Sequence, residues 1–260
     1  MCRHFPCGFL FNLHGRNRRL KPLSAIENAV FQRVAALREQ NARLNILDAP
    51  CGEGALAFVL REKGIQVCAL DIDPAAAALL GDAFQFADLN QKLPLPDKSF
   101  DVVVSVEGIE HLENPHLFLR EVNRVLKDDG RLILTTPNIV ALRSRVRFLG
   151  SGFFHRDSMP LNETARHGLH HIGLRSFPQL RYDLHTLGFQ LEEVASTHVK
   201  HVSYLYAIFI PWMFVYTLIA FRKEKDRIQK KRNREILRTL YSRHLLFGEN
   251  LVLVARKSES

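Results

Sequence analysis

The chain has 260 residues, 47% of them hydrophobic and 24% charged, which suits one large α/β domain or two smaller ones and excludes wholesale disorder. Its 14 Gly and 11 Pro exclude a fibrous chain, and the four scattered cysteines, Cys2, Cys7, Cys51 and Cys68, provide neither a disulfide framework nor a paired metal-ligand spacing, which fits a reducing compartment. The formal net charge of +9 lies in the flanks: residues 1–22 carry five basic residues and no acid, and residues 222–243 carry ten basic and three acidic ones. Such flanks suit an anionic partner, nucleic acid or phospholipid headgroups, or else form a solvated face. The apolar stretch Phe9 to Leu13 is too short and too interrupted for a signal peptide, so a cytoplasmic location is expected.

In chain order, Ser24 followed by Glu27 is a capping-box pattern opening an amphipathic helix over 24–40, with Ile26, Val30, Val34 and Leu37 as its stripe. Asn45–Asp48 is a short apolar run ending in an acid, followed by a helical stretch over 54–63 that Gly64 stops. Gln66–Asp71 is a second run ending in an acid, 74–81 is Ala-rich and helix-like, and Phe84–Asp88 is a third run. Asp101–Val106 and Arg131–Thr135 read as β-branched strands flanking a helix, Pro115 to Leu126. This alternation implies βαβ units and a parallel sheet. Arg175–Leu187 reads as a helix, and Phe189–Val194 and Asn250–Ala255 read as strands with about 55 residues between them.

The turn Asp48-Ala49-Pro50-Cys51-Gly52-Glu53-Gly54 joins a strand to a helix. Gly52 and Gly54 let the backbone approach a ligand, and the helix behind them offers free amides to an anionic group. Gly52 to Ala57 formally fits the dinucleotide pattern G-x-G-x-x-A, with Asp71 placed as a ribose-binding acid. However, Asp48 and Glu53 would repel a pyrophosphate. They suit a ligand carrying an ammonium group beside a carboxylate, such as S-adenosylmethionine.

Leu47-Asp48-Ala49-Pro50-Cys51-Gly52-Glu53-Gly54 resembles the first motif of class I S-adenosylmethionine-dependent methyltransferases of the type 11 kind, with Pro50 in place of the usual first glycine. Val67 to Asp71, Ala87-Asp88-Leu89, Leu93 to Val103, Glu110-His111-Leu112 and Leu126 to Leu134 are similar to the later motifs in the same order. The resemblance implies a doubly wound, mostly parallel seven-stranded sheet whose last strand is antiparallel. It implies that Asp48, Ala49, Cys51, Gly52, Gly54, Asp71, Ile72, Asp88, Leu89 and Glu107 bind S-adenosyl-L-methionine, with Asp71 on the ribose and Asp88 at the adenine amine. The domain is expected over 44–197 and 249–257, behind a basic segment and helix at 1–43.

Residues after the fourth strand face the transferred methyl group in that family, so Glu107 to His111 are expected there. His111 is the candidate general base, against a structural histidine at a helix start. His171-Ile172-Gly173-Leu174-Arg175-Ser176-Phe177 looks like the family segment that descends over the acceptor, which makes His171, with His170, a second candidate. His167, His170 and His171 form H-x-x-H-H, in which i and i+4 would share a helix face, but a zinc site would want a third ligand and usually a nearby carboxylate or thiolate, so no metal is expected. The signatures of exocyclic-amine and pyrimidine-carbon methyltransferases are missing after the fourth strand, so a nucleic-acid acceptor is not expected.

Val202 to Phe221 is uncharged, rich in aromatics and followed at once by the basic block. Within an insertion over 198–248 it reads as a re-entrant or in-plane helical hairpin broken at Pro211, with a true span, an apolar cap over the acceptor and a dimer face as alternatives. The expected activity is O-methylation of a hydrophobic or lipid-linked small molecule, such as a quinone precursor or a lipid-carried saccharide, at the cytoplasmic face of a membrane. RNA methylation through the basic flanks and a non-catalytic membrane scaffold are the alternatives.

Overall fold

The computed structural model describes residues 22–157, 159–164 and 170–258; Cys2, Cys7, His167 and most of the N-terminal basic segment lie outside them. Ser24 caps α1 (Ala25–Gln40) as its sequence requires. Its hydroxyl accepts from the Glu27 amide at 3.2 Å, and the Glu27 carboxylate accepts from the Ser24 amide at 2.8 Å. Val30 and Val34 of the stripe are fully buried.

Then follow β1 (Asn45–Asp48), α2 (Ala55–Glu62), β2 (Gln66–Asp71), α3 (Ala77–Leu80), β3 (Phe84–Phe86), β4 (Phe100–Val106), α4 (Pro115–Val125) and β5 (Leu126–Pro137). The chain continues through α5 (Leu142–Ser151), α6 (Phe177–Thr186), β6 (Phe189–Ser196), α7 (Ile210–Arg222), α8 (Arg227–Leu240), α9 (Arg243–Phe247) and β7 (Asn250–Lys257). The seven strands form one sheet in the order β3-β2-β1-β4-β5-β7-β6. All neighbours are parallel except β7, which runs antiparallel to both β5 and β6. This is the architecture the resemblance implies.

Alternation along the central strands builds a core on each face. Leu47, Val103, Leu132 and Leu134 pack with α4 and α6 on one face, and Ile46, Val102, Val104 and Ile133 pack with α1 and α2 on the other. The Leu93-to-Phe100 motif is held largely from α4. Arg124 donates to the Leu93 carbonyl at 3.1 Å, the Leu95 carbonyl at 2.8 Å and Asp97 at 2.6 Å, while Glu121 accepts from the Leu93 amide at 2.9 Å.

Strand order reverses between β1 and β4, and their carboxyl ends open a crevice there. Because β6 lies parallel to β5, it finishes at the same edge, and β7 starts there. The helices between Ser196 and Asn250 therefore leave from and return to the edge that carries the crevice.

Two local expectations are corrected. β5 starts at Leu126, not Arg131, because a register shift opposite Phe100 and Val102 lets Asp128 and Asp129 ride in the strand. Pro211 does not fold the apolar run back. It stands in the first turn of α7, where its missing N–H breaks no helical bond, so a 3-10 stretch His201–Phe209 continues directly into α7. The reversal comes afterwards, before Asp226, whose side chain caps α8 by accepting from the Gln229 amide at 2.6 Å.

Candidate active site

The site begins at the end of β1. Asp48 is fully buried, and its Oδ2 has no hydrogen-bond partner among the described residues. Burial raises its pKa well above the usual carboxylate range; Glu27 and Asp71 add to this, and the Ala57 amide opposes it. Gly52 and Gly54 follow at φ 54° and 83°, and the space beside Gly52 is open. The Asp71 carboxylate, at the end of β2, is oriented by two amides, accepting from Gly52 at 2.7 Å and from Asp73 at 2.9 Å. Each oxygen keeps a lone pair for a further donor.

Gly108 closes this region from β4. A Cβ there would stand 2.2 Å from Pro50 Cδ, so only glycine lets the two loops touch. Ala49 is buried beside Pro50, across a cis peptide bond. Cys51 is partly buried, and burial, with the charges of Asp48 and Asp71, pushes its thiol far up, which fits packing rather than nucleophilic chemistry.

Ile72 is 57% exposed at the crevice edge and Leu89 is buried. Asp88 accepts from the Asn90 amide at 2.9 Å, and Asn90 in turn accepts from the Glu113 and Asn114 amides at 2.8 and 3.1 Å. The loops after β1, β2 and β3 thus bring together the residues expected around S-adenosylmethionine. A buried carboxylate with one unpartnered oxygen under a glycine turn calls for a positively charged group, and that cofactor carries an ammonium and a sulfonium. Asp48 and the amides beyond Gly54 could hold its amino-acid end, Asp71 its ribose and Asp88 its adenine.

A second cluster stands past β4. Glu107 adopts φ 48°, a left-handed conformation that costs a non-glycine residue about 1–3 kcal/mol. Its amide donates to Thr135 Oγ1 at 3.0 Å, and its carboxylate accepts from Asn250 Nδ2 at 2.6 Å with Arg156 at 3.8 Å. Burial raises its pKa to about 7, against the pull of Arg156, Thr135 and Asn250. Glu110 is completely buried and accepts from Thr136 Oγ1 at 3.0 Å, while its Oε1 has no partner among the described residues. Burial, then repulsion from Glu107, raises its pKa to about 8.

His111 is not at a helix start but closes a 3-10 turn, Ile109–His111, ahead of α4. Its Nδ1 lies 3.0 Å from the His170 carbonyl oxygen. A carbonyl only accepts, so Nδ1 carries the proton and Nε2 keeps its lone pair. Burial, foremost, lowers the pKa of His111. The rings of His111 and His171 are 4.8 Å apart, and His171 Nδ1 sits 3.0 Å from Asp157 Oδ1. The loop that carries His171 is drawn down by the Gly173 amide, which donates to the Glu110 carbonyl at 2.8 Å.

Glu110, His111 and His171 offer ligand atoms within 4.8 Å of one another. One oxygen placed among them could touch all three. The sequence brings His111 and His171 forward as separate candidates, but no spacing in it joins them to Glu110. Sequence reasoning also missed Asp157, Thr136, Arg156 and Asn250, which lie 14 to 143 residues from the side chains they hold.

Comparison with known proteins gives a consistent result. Residues 47–134 match the family model described as a methyltransferase domain. The protein named "Probable S-adenosylmethionine-dependent methyltransferase Rv3030" from Mycobacterium tuberculosis (strain ATCC 25618 / H37Rv) is 38% identical over 121 residues, 44% of this chain and 44% of that protein. The chain thus spans under half the length of such relatives. The ubiquinone biosynthesis O-methyltransferase of Xanthomonas axonopodis pv. citri is 28% identical over 185 residues, 67% of this chain and 74% of that protein. Among solved structures, a SAM dependent methyltransferase from Archaeoglobus fulgidus superposes with TM-score 0.53 at 18% identity, covering 89% of this chain and 94% of that one. A Burkholderia thailandensis 1,6-didemethyltoxoflavin-N1-methyltransferase, solved with S-adenosylhomocysteine, gives TM-score 0.51 at 16% identity, covering 90% and 80%. At those identities the structural likeness is one of fold.

Proposed function

We propose that the chain, whose residues 47–134 match the methyltransferase-domain family model, is an S-adenosylmethionine-dependent O-methyltransferase acting on a hydroxyl of a hydrophobic or lipid-linked small molecule. S-adenosylmethionine, when bound, supplies an electrophilic methyl group on sulfonium. The chain's own residues must then align the acceptor and remove its proton.

The observation that carries this reading is the tautomer imposed on His111. With Nδ1–H committed to the His170 carbonyl, Nε2 is the basic atom, and a lowered pKa keeps it unprotonated near neutral pH. His111 Nε2 takes the hydroxyl proton as the oxygen becomes nucleophilic. The His171 ring, held by Asp157, stands against that ring, and the Asp157 charge favours the imidazolium formed, whereas His171 opposes it. Glu110, with a pKa near 8, is largely protonated at neutral pH and can donate to the acceptor oxygen while it is still an alcohol or phenol. The relative named as a ubiquinone biosynthesis O-methyltransferase supports an oxygen acceptor.

The test is transfer of radiolabelled methyl from S-adenosylmethionine to a bacterial lipid extract. The expected product is an organic-soluble, alkali-stable methyl ether whose formation requires His111. Label appearing only in added RNA, or on nitrogen, would overturn the reading.

A further inference from the structure

Residues 201–222 form a helical stretch containing an apolar 18-residue window in which no residue is fully buried, although Ser203 at its start is. Its first half is 3-10, where side chains three apart line up. Val202, Leu205 and Ile208 therefore make one exposed stripe, the last two at 75% and 78% exposure. In α7 the stripe continues through Trp212, Tyr216 and Ile219. A contiguous apolar surface of this size on a folded domain marks an interface.

The other face of α7 is already used. Met213 and Ile210 pack toward Leu142, Leu246 and Phe247. Thr217 Oγ1 lies 2.9 Å from the Tyr241 hydroxyl, and Phe214 meets the Tyr241 ring edge-on at 5.0 Å. So α7 is pinned to the end of α8. That helix turns Ile236 and Leu240 inward and leaves Lys230, Lys231 and Arg234 exposed.

We propose that the α7–α8 hairpin is a membrane-docking element, lying in the plane of an anionic phospholipid surface. The apolar stripe enters the acyl boundary and the cations of α8 meet the headgroups. Trp212, Tyr204 and Tyr216 have the amphipathic rings that such a boundary favours. A span is excluded by connectivity: β6 and β7 pair along their whole length in one sheet, and the highly charged α8 cannot recross a bilayer to return the chain. A second copy of the chain is disfavoured because face-to-face seating would bring two cationic blocks together. The hairpin leaves from the crevice edge of the sheet, so docking holds that edge toward the lipid.

Trp212 is the chain's single tryptophan and reports docking without any substitution. Its emission should shift to the blue on adding phosphatidylcholine vesicles containing phosphatidylglycerol, and brominated acyl chains should quench it. The full chain should float with those vesicles and less with phosphatidylcholine alone. Leu205→Ser with Trp212→Ser and Tyr216→Ser should lower flotation about tenfold or more, whereas Lys230→Glu with Lys231→Glu and Arg234→Glu should remove the preference for anionic lipid. Unchanged Trp212 emission with either vesicle overturns the proposal. So does a concentration-dependent dimer that shields Trp212 without lipid, or quenching strongest at the bilayer centre. Docking is read without methyl transfer, so it stands or falls apart from the catalytic reading.

Discussion

Asn250, the first residue of the last strand, donates from Nδ2 to the Glu107 carboxylate at 2.6 Å, and its own Oδ1 accepts from Arg156 at 3.0 Å. One fully buried amide therefore links the loop after β4, the loop after α5 and the start of β7. Asn250→Ala removes a bond that favours the charged form of Glu107, so its pKa should rise above about 7. The variant should also unfold about 1–3 kcal/mol more easily, because Glu107 and Arg156 lose a buried partner. Carboxyl-selective NMR titration and thermal melts check the two expectations.

His111→Ala should lower kcat about a hundredfold while cofactor affinity is nearly unchanged. In the wild type, kcat/KM should rise through a midpoint below 6.5 as His111 loses its proton, and be flat by neutral pH. A variant that keeps most of its turnover would return His111 to a structural role. Asp157→Asn, which leaves His171 without its anionic partner, should cost less than His111→Ala in a stopped-time assay.

Asp71→Ala removes charge-assisted bonds worth about 1.5–3 kcal/mol each, so S-adenosylmethionine should bind roughly ten- to a hundredfold more weakly. Part of that loss comes through the Gly52 amide, which Asp71 holds at 2.7 Å. Calorimetry measures it. Unchanged affinity, or tight binding of NAD by the wild type, would defeat the assignment.

Glu110 gives a pH dependence of stability. Its pKa is raised from the ordinary 4.5 to about 8 in the folded state, chiefly by burial. The folded protein thus binds a proton that the unfolded chain has released. Stability from this group is full below about pH 4.5 and drains away as pH rises toward 8. Glu110→Gln keeps an acceptor for Thr136 and removes the ionisation. It should leave Tm nearly unchanged at pH 5 and raise it by several degrees at pH 8, an effect of order a few kcal/mol. Melts at the two values decide it.

The sheet and the cofactor edge were legible because their signals are local. β1 and β2 end in an acid, Asp88 follows β3 by two residues, which shortens the expected run Phe84–Asp88, and the Ser24–Glu27 box needs only four consecutive residues. The acceptor side was legible only where it sits in a motif. His111 follows β4 directly, but the groups that orient it arrive from loops with no periodicity. Asp157 lies beyond α5, whose three arginines and lack of a capping side chain hid the helix itself. Asn250 acts across 143 residues, a distance over which no spacing rule operates. Pro211 misled for a different reason: a proline punctuates a helix, yet its effect depends on whether it falls in the first turn or the interior, and only the register of α7 decides that.

The placement of β7 between β5 and β6 has a consequence for the order of assembly. β5 and the edge strand β6 are joined only through it, and it follows every other strand of the sheet, and α7, along the chain. Until residues 250–257 emerge, β5 presents an open edge, β6 has no neighbour and Glu107 lacks the amide that fixes it. The apolar helix α7, by contrast, is already outside the exit tunnel. During synthesis the greasiest surface of the chain is thus exposed before the sheet can close, and early capture of that surface by lipid would keep nascent chains from finding one another.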